Sequence, residues 1–246
     1  MYYDQSAYDL RCEWGLEGIR QLAPTSDAVI IVDVFSFTTA VDIAISRGAW
    51  VYPFYDPEDS AEDFARSIGA ICAGRIRQDP TAFTLAPTSM QRLPEGAKLV
   101  LPSPNGSRLS LATGGIPTFA GCLRNAASVA AAAATLGPRI SLIPAGERWP
   151  DGSLRPSLED LLGAGAILHA LSEALPGTLS DRRSPEAEAA VAVFLHFRDR
   201  LLDTLSTCGS GIEIADRGAP GEIPLVAAYN ASQHAPCLVD GAYRAA

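Results

Sequence analysis

Asp27-Ala28-Val29-Ile30-Ile31-Val32-Asp33-Val34-Phe35 is the stretch whose reading decides the fold. It is short, rich in β-branched residues and almost continuously apolar, the pattern of a strand buried on both faces of a parallel sheet. Ser36-Phe37-Thr38-Thr39 follows with hydroxyls suited to capping a helix, and Ala40 to Arg47 reads as that helix, stopped by Gly48. Strand, loop and helix in this order make the repeating unit of an α/β protein.

Outward from this unit the pattern recurs. Val51-Tyr52-Pro53-Phe54 reads as a strand and Glu58 to Ile68 as a helix, and Lys98-Leu99-Val100-Leu101 as a strand running into the loop Pro102-Ser103-Pro104-Asn105-Gly106-Ser107. Ala126 to Leu136 is an alanine-rich helix closed by Gly137-Pro138, and Ile140-Ser141-Leu142-Ile143-Pro144 is the strand after it. A long loop from Ala145 to Pro156 precedes a helix capped by Ser157 that runs from Leu158 to about Ala174. A second long helix runs from Pro185, after the cap Ser184, to about Leu205. The alternation predicts a three-layer α/β/α fold with a mostly parallel or mixed central sheet. No low-complexity linker or strong internal repeat divides the chain, so residues 1–246 read as a single domain. In open sheets of this kind ligands sit beyond the carboxyl ends of the strands. Asp33, Asn105 and Glu147 each lie at or just past such an end, which predicts that three polar loops converge on one crevice.

Composition narrows the partners. The formal net charge of −9 argues against a nucleic-acid or anionic-membrane surface, because those partners are held mainly by Lys and Arg. Lys98 is the only lysine, so an anionic substrate has to be gripped locally by arginines. No apolar run is long enough to span a bilayer, and Met1-Tyr2-Tyr3-Asp4-Gln5 lacks the basic and apolar segments of a signal peptide, which predicts a cytoplasmic protein. Cys12, Cys72, Cys122, Cys208 and Cys237 are odd in number and never spaced Cys-x-x-Cys, so reduced thiols are expected. The sequence has no phosphate loop, dinucleotide turn, zinc helix or nucleophile elbow. The strand that ends at Asp33 lacks the second aspartate of an Asp-x-Asp signature, and His169, His196 and His234 are isolated.

Five segments carry a family likeness: Asp33-Val34-Phe35-Ser36-Phe37-Thr38-Thr39-Ala40, Ser103-Pro104-Asn105-Gly106-Ser107, Leu123-Arg124-Asn125-Ala126, Pro144-Ala145-Gly146-Glu147-Arg148 and Leu158-Glu159-Asp160-Leu161-Leu162-Gly163-Ala164-Gly165-Ala166. In this order, over most of the chain, they resemble the 2-phosphosulfolactate phosphatase family, called ComB. The resemblance implies an α/β/α fold, a magnesium ion and hydrolysis of the phosphate ester of sulfolactate, a step toward coenzyme M in organisms that make it. The chain departs from the family pattern at Ser36, where an arginine is expected, and at Ala73-Gly74-Arg75, where Gly-Glu-Arg is expected.

Single residues can then be weighed. Asp33 ends a buried strand, where a carboxylate is costly unless it is bonded or metal-bound; magnesium ligation and capping of the next helix are both open to it. Glu159 and Asp160 sit in the first turn of a helix, where they serve the helix dipole or a metal equally well. The expected catalytic groups are Asp33, Glu147 and Asp160, and the expected magnesium ligands are Asp33, Glu159 and Asp160. Asn105-Gly106-Ser107 has the composition of a turn that aims N–H groups at an anion, with Thr38, Thr39, Arg75 and Arg148 as further substrate-binding candidates. The partner implied is a small anionic phosphorylated substrate, with a homodimer compatible. Two other readings remain open, a metal-dependent hydrolase or lyase on another anionic metabolite and a binding module that kept the fold without turnover.

Overall fold

The computed structural model describes residues 3–56, 60–74, 81–174 and 182–246. In chain order the first half comprises β1 (Leu10–Cys12), α1 (Gly15–Leu22), β2 (Ala28–Val32), α2 (Phe37–Ser46), β3 (Trp50–Phe54), α3 (Ala61–Ile68), β4 (Ile71–Cys72), α4 (Pro87–Met90), β5 (Lys98–Pro102), α5 (Gly106–Leu111) and β6 (Thr118–Gly121). The second half comprises α6 (Ala126–Ala134), β7 (Ile140–Pro144), β8 (Glu147–Arg148), β9 (Leu154–Arg155), α7 (Leu158–Ala174), α8 (Pro185–Phe197), α9 (Leu201–Thr207), α10 (Gly209–Asp216), α11 (Glu222–Val226), β10 (Pro236–Val239) and β11 (Ala242–Ala245). Among the described residues, nine strands form one sheet in the order β1-β7-β2-β6-β10-β11-β3-β5-β4, and β8 pairs with β9 as a separate ribbon.

β2 shows why the protein has three layers. Ala28, Ile30 and Val32 pack with residues of α6, α7 and α8 on one face, while Val29 and Ile31 pack with Ile19, Leu22 and Leu109 on the other. All five are fully buried, as a continuous apolar run requires. β5 repeats the device, with Leu99 and Leu101 against α2 and Val100 against α3.

The sheet is mixed. β1, β7, β2 and β6 form one parallel block and β3, β5 and β4 another. Between them lies the C-terminal hairpin β10–β11, antiparallel within itself and to both neighbours. Three antiparallel junctions make the two blocks run in opposite senses along the sheet. The loops after β2 and β5 meet nonetheless, the Gly106 N–H bonding the Asp33 carboxylate at 2.9 Å.

The long helix expected from Pro185 to Leu205 is interrupted. α8 ends at Phe197, a 3₁₀ turn occupies Arg198–Arg200, and α9 restarts at Leu201. The three turn residues are exposed and charged, and the tightened turn delivers Leu201 and Leu205 to the core. The helix placed at Glu58 begins at Ala61 after the cap Ser60, whose hydroxyl accepts the Asp63 N–H; its first expected residues lie outside the described ones. No helix among the described residues is long and apolar enough to cross a membrane. All five cysteines are free thiols.

α7 and α8 approach so closely that a Cβ on Gly165 would lie 2.1 Å from the Ala190 carbonyl oxygen and 2.8 Å from Phe194 Cβ. Gly165→Ala is therefore expected to lower unfolding free energy by about 1–3 kcal/mol through overpacking. A urea titration checks this, and an unchanged midpoint would show that the two helices separate freely.

Candidate active site

β2 ends at Val32, and the next residue places a carboxylate between two helix starts. Asp33 Oδ1 accepts the N–H of Phe37, the first residue of α2, at 3.2 Å, and Oδ2 accepts the N–H of Gly106, the first residue of α5, at 2.9 Å. Such N–H groups have no partner within their own helix. Ser36, expected to cap α2, makes no side-chain capping bond to it, so Asp33 takes that part. Gly106 is required by close approach, because a Cβ there would lie 2.2 Å from the Phe37 ring.

Asp160, in the first turn of α7, performs the same service for two other loops. Its Oδ1 accepts the Val34 N–H at 2.7 Å, and its Oδ2 accepts the Gly146 N–H at 2.8 Å and the Ser157 hydroxyl at 2.9 Å. Burial, followed by the Glu159 and Asp33 carboxylates, pushes Asp160 well above the usual carboxylate range, against the pull of the Val34 N–H and the Ser157 hydroxyl. Glu159 beside it is buried, with the Cys208 thiol 3.7 Å from Oε2. Burial first and Glu159 second push that thiol up to about 11.

Glu147 opens the β8–β9 ribbon and faces these groups. It is pushed up to about 7 by burial first, then by Asp33, Glu159 and Glu213, with Arg155 opposing. Its Oε2 accepts the Asn105 side-chain amide at 3.3 Å. Across the ribbon it pairs with Arg155, whose Nη2 donates to the Ser210 hydroxyl at 3.1 Å and whose guanidinium lies 5.8 Å from the Trp149 ring centroid. Asp33 and Glu159 thus act on both Glu147 and Asp160, which draws carboxylates from the end of β2, from β8 and from α7 into one neighbourhood. An acid poised near neutrality stands among hard oxygen donors of the type that magnesium takes.

The other expected residues divide. Asn105 and Gly106 join the crevice. The Thr38 hydroxyl donates to the Asp33 carbonyl at 2.8 Å, the Thr39 hydroxyl to the Val34 carbonyl at 2.9 Å and the Ser107 hydroxyl to the Leu101 carbonyl at 2.7 Å, and all three residues are fully buried. These hydroxyls tie helix starts to strand ends. Arg148 is exposed, bonded to the Gly152 carbonyl at 2.8 Å, and lies on the face of the ribbon away from Glu147. Arg75 lies outside the described residues. Sequence reasoning missed Arg155 and Ser210. Asp151-Gly152 is the turn signal that could have paired Arg155 with Glu147.

A family model described as 2-phosphosulpholactate phosphatase matches residues 17–241, spanning β2, the β8–β9 ribbon and the start of α7. The chain belongs to the 2-phosphosulpholactate phosphatase family. A protein of Carboxydothermus hydrogenoformans described as a probable 2-phosphosulfolactate phosphatase is 30% identical over 168 residues, 66% of this chain and 68% of that protein. The 2-phosphosulpholactate phosphatase family is one of phosphoric monoester hydrolases.

The Glu147 environment has a consequence that needs no substrate. Its folded value of about 7 exceeds its ordinary 4.5, so the unfolded chain ionises first as pH rises. The favourable share is fully present below about 4.5 and is lost as pH climbs through about 7. Glu147→Gln is expected to flatten stability against pH across this window, measured by urea titrations at several pH values; identical slopes in both proteins would contradict the burial of this carboxyl.

Proposed function

We propose that this chain hydrolyses the phosphate monoester of a small acid of the 2-phosphosulfolactate kind, with magnesium bound at the Asp33 end of the crevice. The observation that supports it most is the crowding of Asp33, Glu147, Glu159 and Asp160, which raises Glu147 and Asp160 and which a bound cation would relieve as protonation does. Among the described residues no three His, Cys, Asp or Glu side chains gather closely enough to form a metal cage. Magnesium needs none, since one or two carboxylates plus water and substrate phosphate are its usual shell. Asp160, with three donors on its two oxygens, is the least available ligand. Asp33 and Glu159 are the better pair.

A magnesium ion held there supplies positive charge to the non-bridging phosphate oxygens as the ester breaks. The protein's own groups do the rest. Arg155 faces the crevice from β9, anchored by Ser210 and Trp149, and its planar fork suits two phosphate oxygens. Water attacks phosphorus, the P–O ester bond breaks, and the departing alkoxide takes a proton to leave as the hydroxyl of the acid product. Glu147, raised to about 7 by its burial and so able to give and regain a proton near neutrality, is the donor, and the Asn105 amide fixes its direction.

Phosphate release from 2-phosphosulfolactate, with magnesium and with excess chelator, tests the reading. Activity is expected with the ion and is expected to vanish with the chelator; full activity in chelator would remove the metal. Asp33→Asn is expected to lose about 100-fold or more in turnover, the scale of a lost electrostatic contact in a transition state. Near-normal turnover in a folded Asp33→Asn protein would leave Asp33 with helix capping alone.

A further inference from the structure

β3, β5 and β4 run parallel and end side by side at Phe54, Pro102 and Cys72. The chain leaves β3 for α3, which packs with Val100 on one face of the sheet, and leaves β5 for α5, whose Gly106 lies against Phe37 on the face of Leu99 and Leu101. Where neighbouring parallel strands send their connections to opposite faces, a crevice opens beyond the strand ends that suits a ligand. A half-open cavity of about 410 Å³ occupies this place, walled chiefly by Phe54, Tyr55, Leu85, Pro102 and Pro104. That size and lining are those of a small-molecule pocket. Among the described residues no lysine or arginine lines it, and Asp56 is its one acid. Arg108 lies 5.3 Å from the Tyr55 ring centroid and steadies that wall from outside; with Arg20 and Arg148 it lines a separate cavity behind the β8–β9 ribbon.

Ser103 joins this cavity to Asp33. Its Oγ accepts the N–H groups of Asn105 at 3.3 Å and of Gly106 at 3.1 Å, and the same Gly106 N–H reaches Asp33 Oδ2 at 2.9 Å. Two acceptors of one N–H lie within a few ångströms of each other, so a phosphate ester at Asp33 has the cavity as its neighbour. Ser103 is buried, and among the described residues its own hydroxyl proton goes to no protein acceptor, which leaves a donor for a ligand. We propose that the cavity holds the carbon side chain of the substrate, and that the ester this chain prefers is that of a 2-hydroxy acid bearing an aryl or branched alkyl group where 2-phosphosulfolactate has its sulfonate. A sulfonate there would lose its water against apolar walls, beside Asp56 and with no cation on the lining, whereas an apolar group gains by leaving water. The Ser103 hydroxyl donates to the carboxylate of the acid. The ester rests on the phosphatase reading; the preference for an apolar side chain does not.

The test is calorimetric titration of 3-phenyllactate, lactate and sulfolactate, acids that differ only in the group at the third carbon, into the wild-type protein, Gly74→Leu and Ser103→Ala. 3-Phenyllactate is expected to bind about tenfold or more tightly than either of the others, about 1.4 kcal/mol. Gly74 lines the cavity, and a Cβ there would meet only the Phe83 carbonyl oxygen, at 3.8 Å, so the backbone accepts a leucine. Gly74→Leu is expected to bring 3-phenyllactate down to the level of lactate and to leave lactate unchanged, a selective loss that unfolding cannot mimic. Ser103→Ala is expected to weaken all three acids alike. Binding of 3-phenyllactate that is absent, no tighter than that of lactate, or indifferent to either substitution would overturn the pocket. Phosphate release from the esters of 3-phenyllactate and sulfolactate is scored separately. Selective binding without release from either ester would sink the phosphatase reading and leave the pocket standing; release from 2-phosphosulfolactate without selective binding would do the reverse.

Discussion

The structure turns on one carboxylate shared by two helices. Asp33 receives the first N–H of α2 and the first N–H of α5, so the ends of β2 and β5 are fixed to each other across a sheet whose two blocks run in opposite senses. The following residue, Val34, gives its N–H to Asp160, which also holds Gly146 after β7. Four segments that carry the site are thereby locked by two acidic side chains. Intramolecular hydrogen bonds contribute about 0.5–1.5 kcal/mol each, so the same bonds shape the site and stabilise the fold.

That economy has an electrostatic cost. Bringing Asp33, Glu147, Glu159 and Asp160 together in a buried place raises Glu147 and Asp160 and leaves the crevice in want of positive charge. Arg155 supplies part of it to Glu147. The remaining arginines of this region stand behind the ribbon, around the cavity of Arg108 and Arg148. A strand only two residues long makes this division possible, because its successive side chains point to opposite faces.

Much of the fold was legible because β2 is so plain a signal. Its apolar run announced a strand covered on both faces, and Ala28 and Val29 do pack into opposite layers. The C-terminal hairpin was not read, although Asp240-Gly241, with φ of 50° and 79°, is a two-residue hairpin turn by composition. Its strands are short and polar at one end, and only pairing with β6 and β3 at the centre of the sheet gives them their place. Sequence named the acids and the Asn105-Gly106 turn that the fold brings near one another. It could not tell which hydroxyls are spent on backbone carbonyls, as those of Thr38, Thr39 and Ser107 are, because that depends on distances across the strand ends. Arg155 escaped for a related reason: its link to Glu147 is a register across a ribbon, not a spacing along the chain. The two helices joined at Arg198–Arg200 kept one apolar phase, so periodicity alone merged them.

The central claim is that cation and phosphate meet at Asp33. Crystals grown with manganese in place of magnesium and orthovanadate in place of phosphate test it most directly, through the anomalous signal of the metal. The account expects manganese bound to an Asp33 carboxylate oxygen, with the vanadate beside it and within reach of Arg155 and Glu147. Manganese and vanadate bound elsewhere, with Asp33 touching only the N–H groups of Phe37 and Gly106, would contradict it.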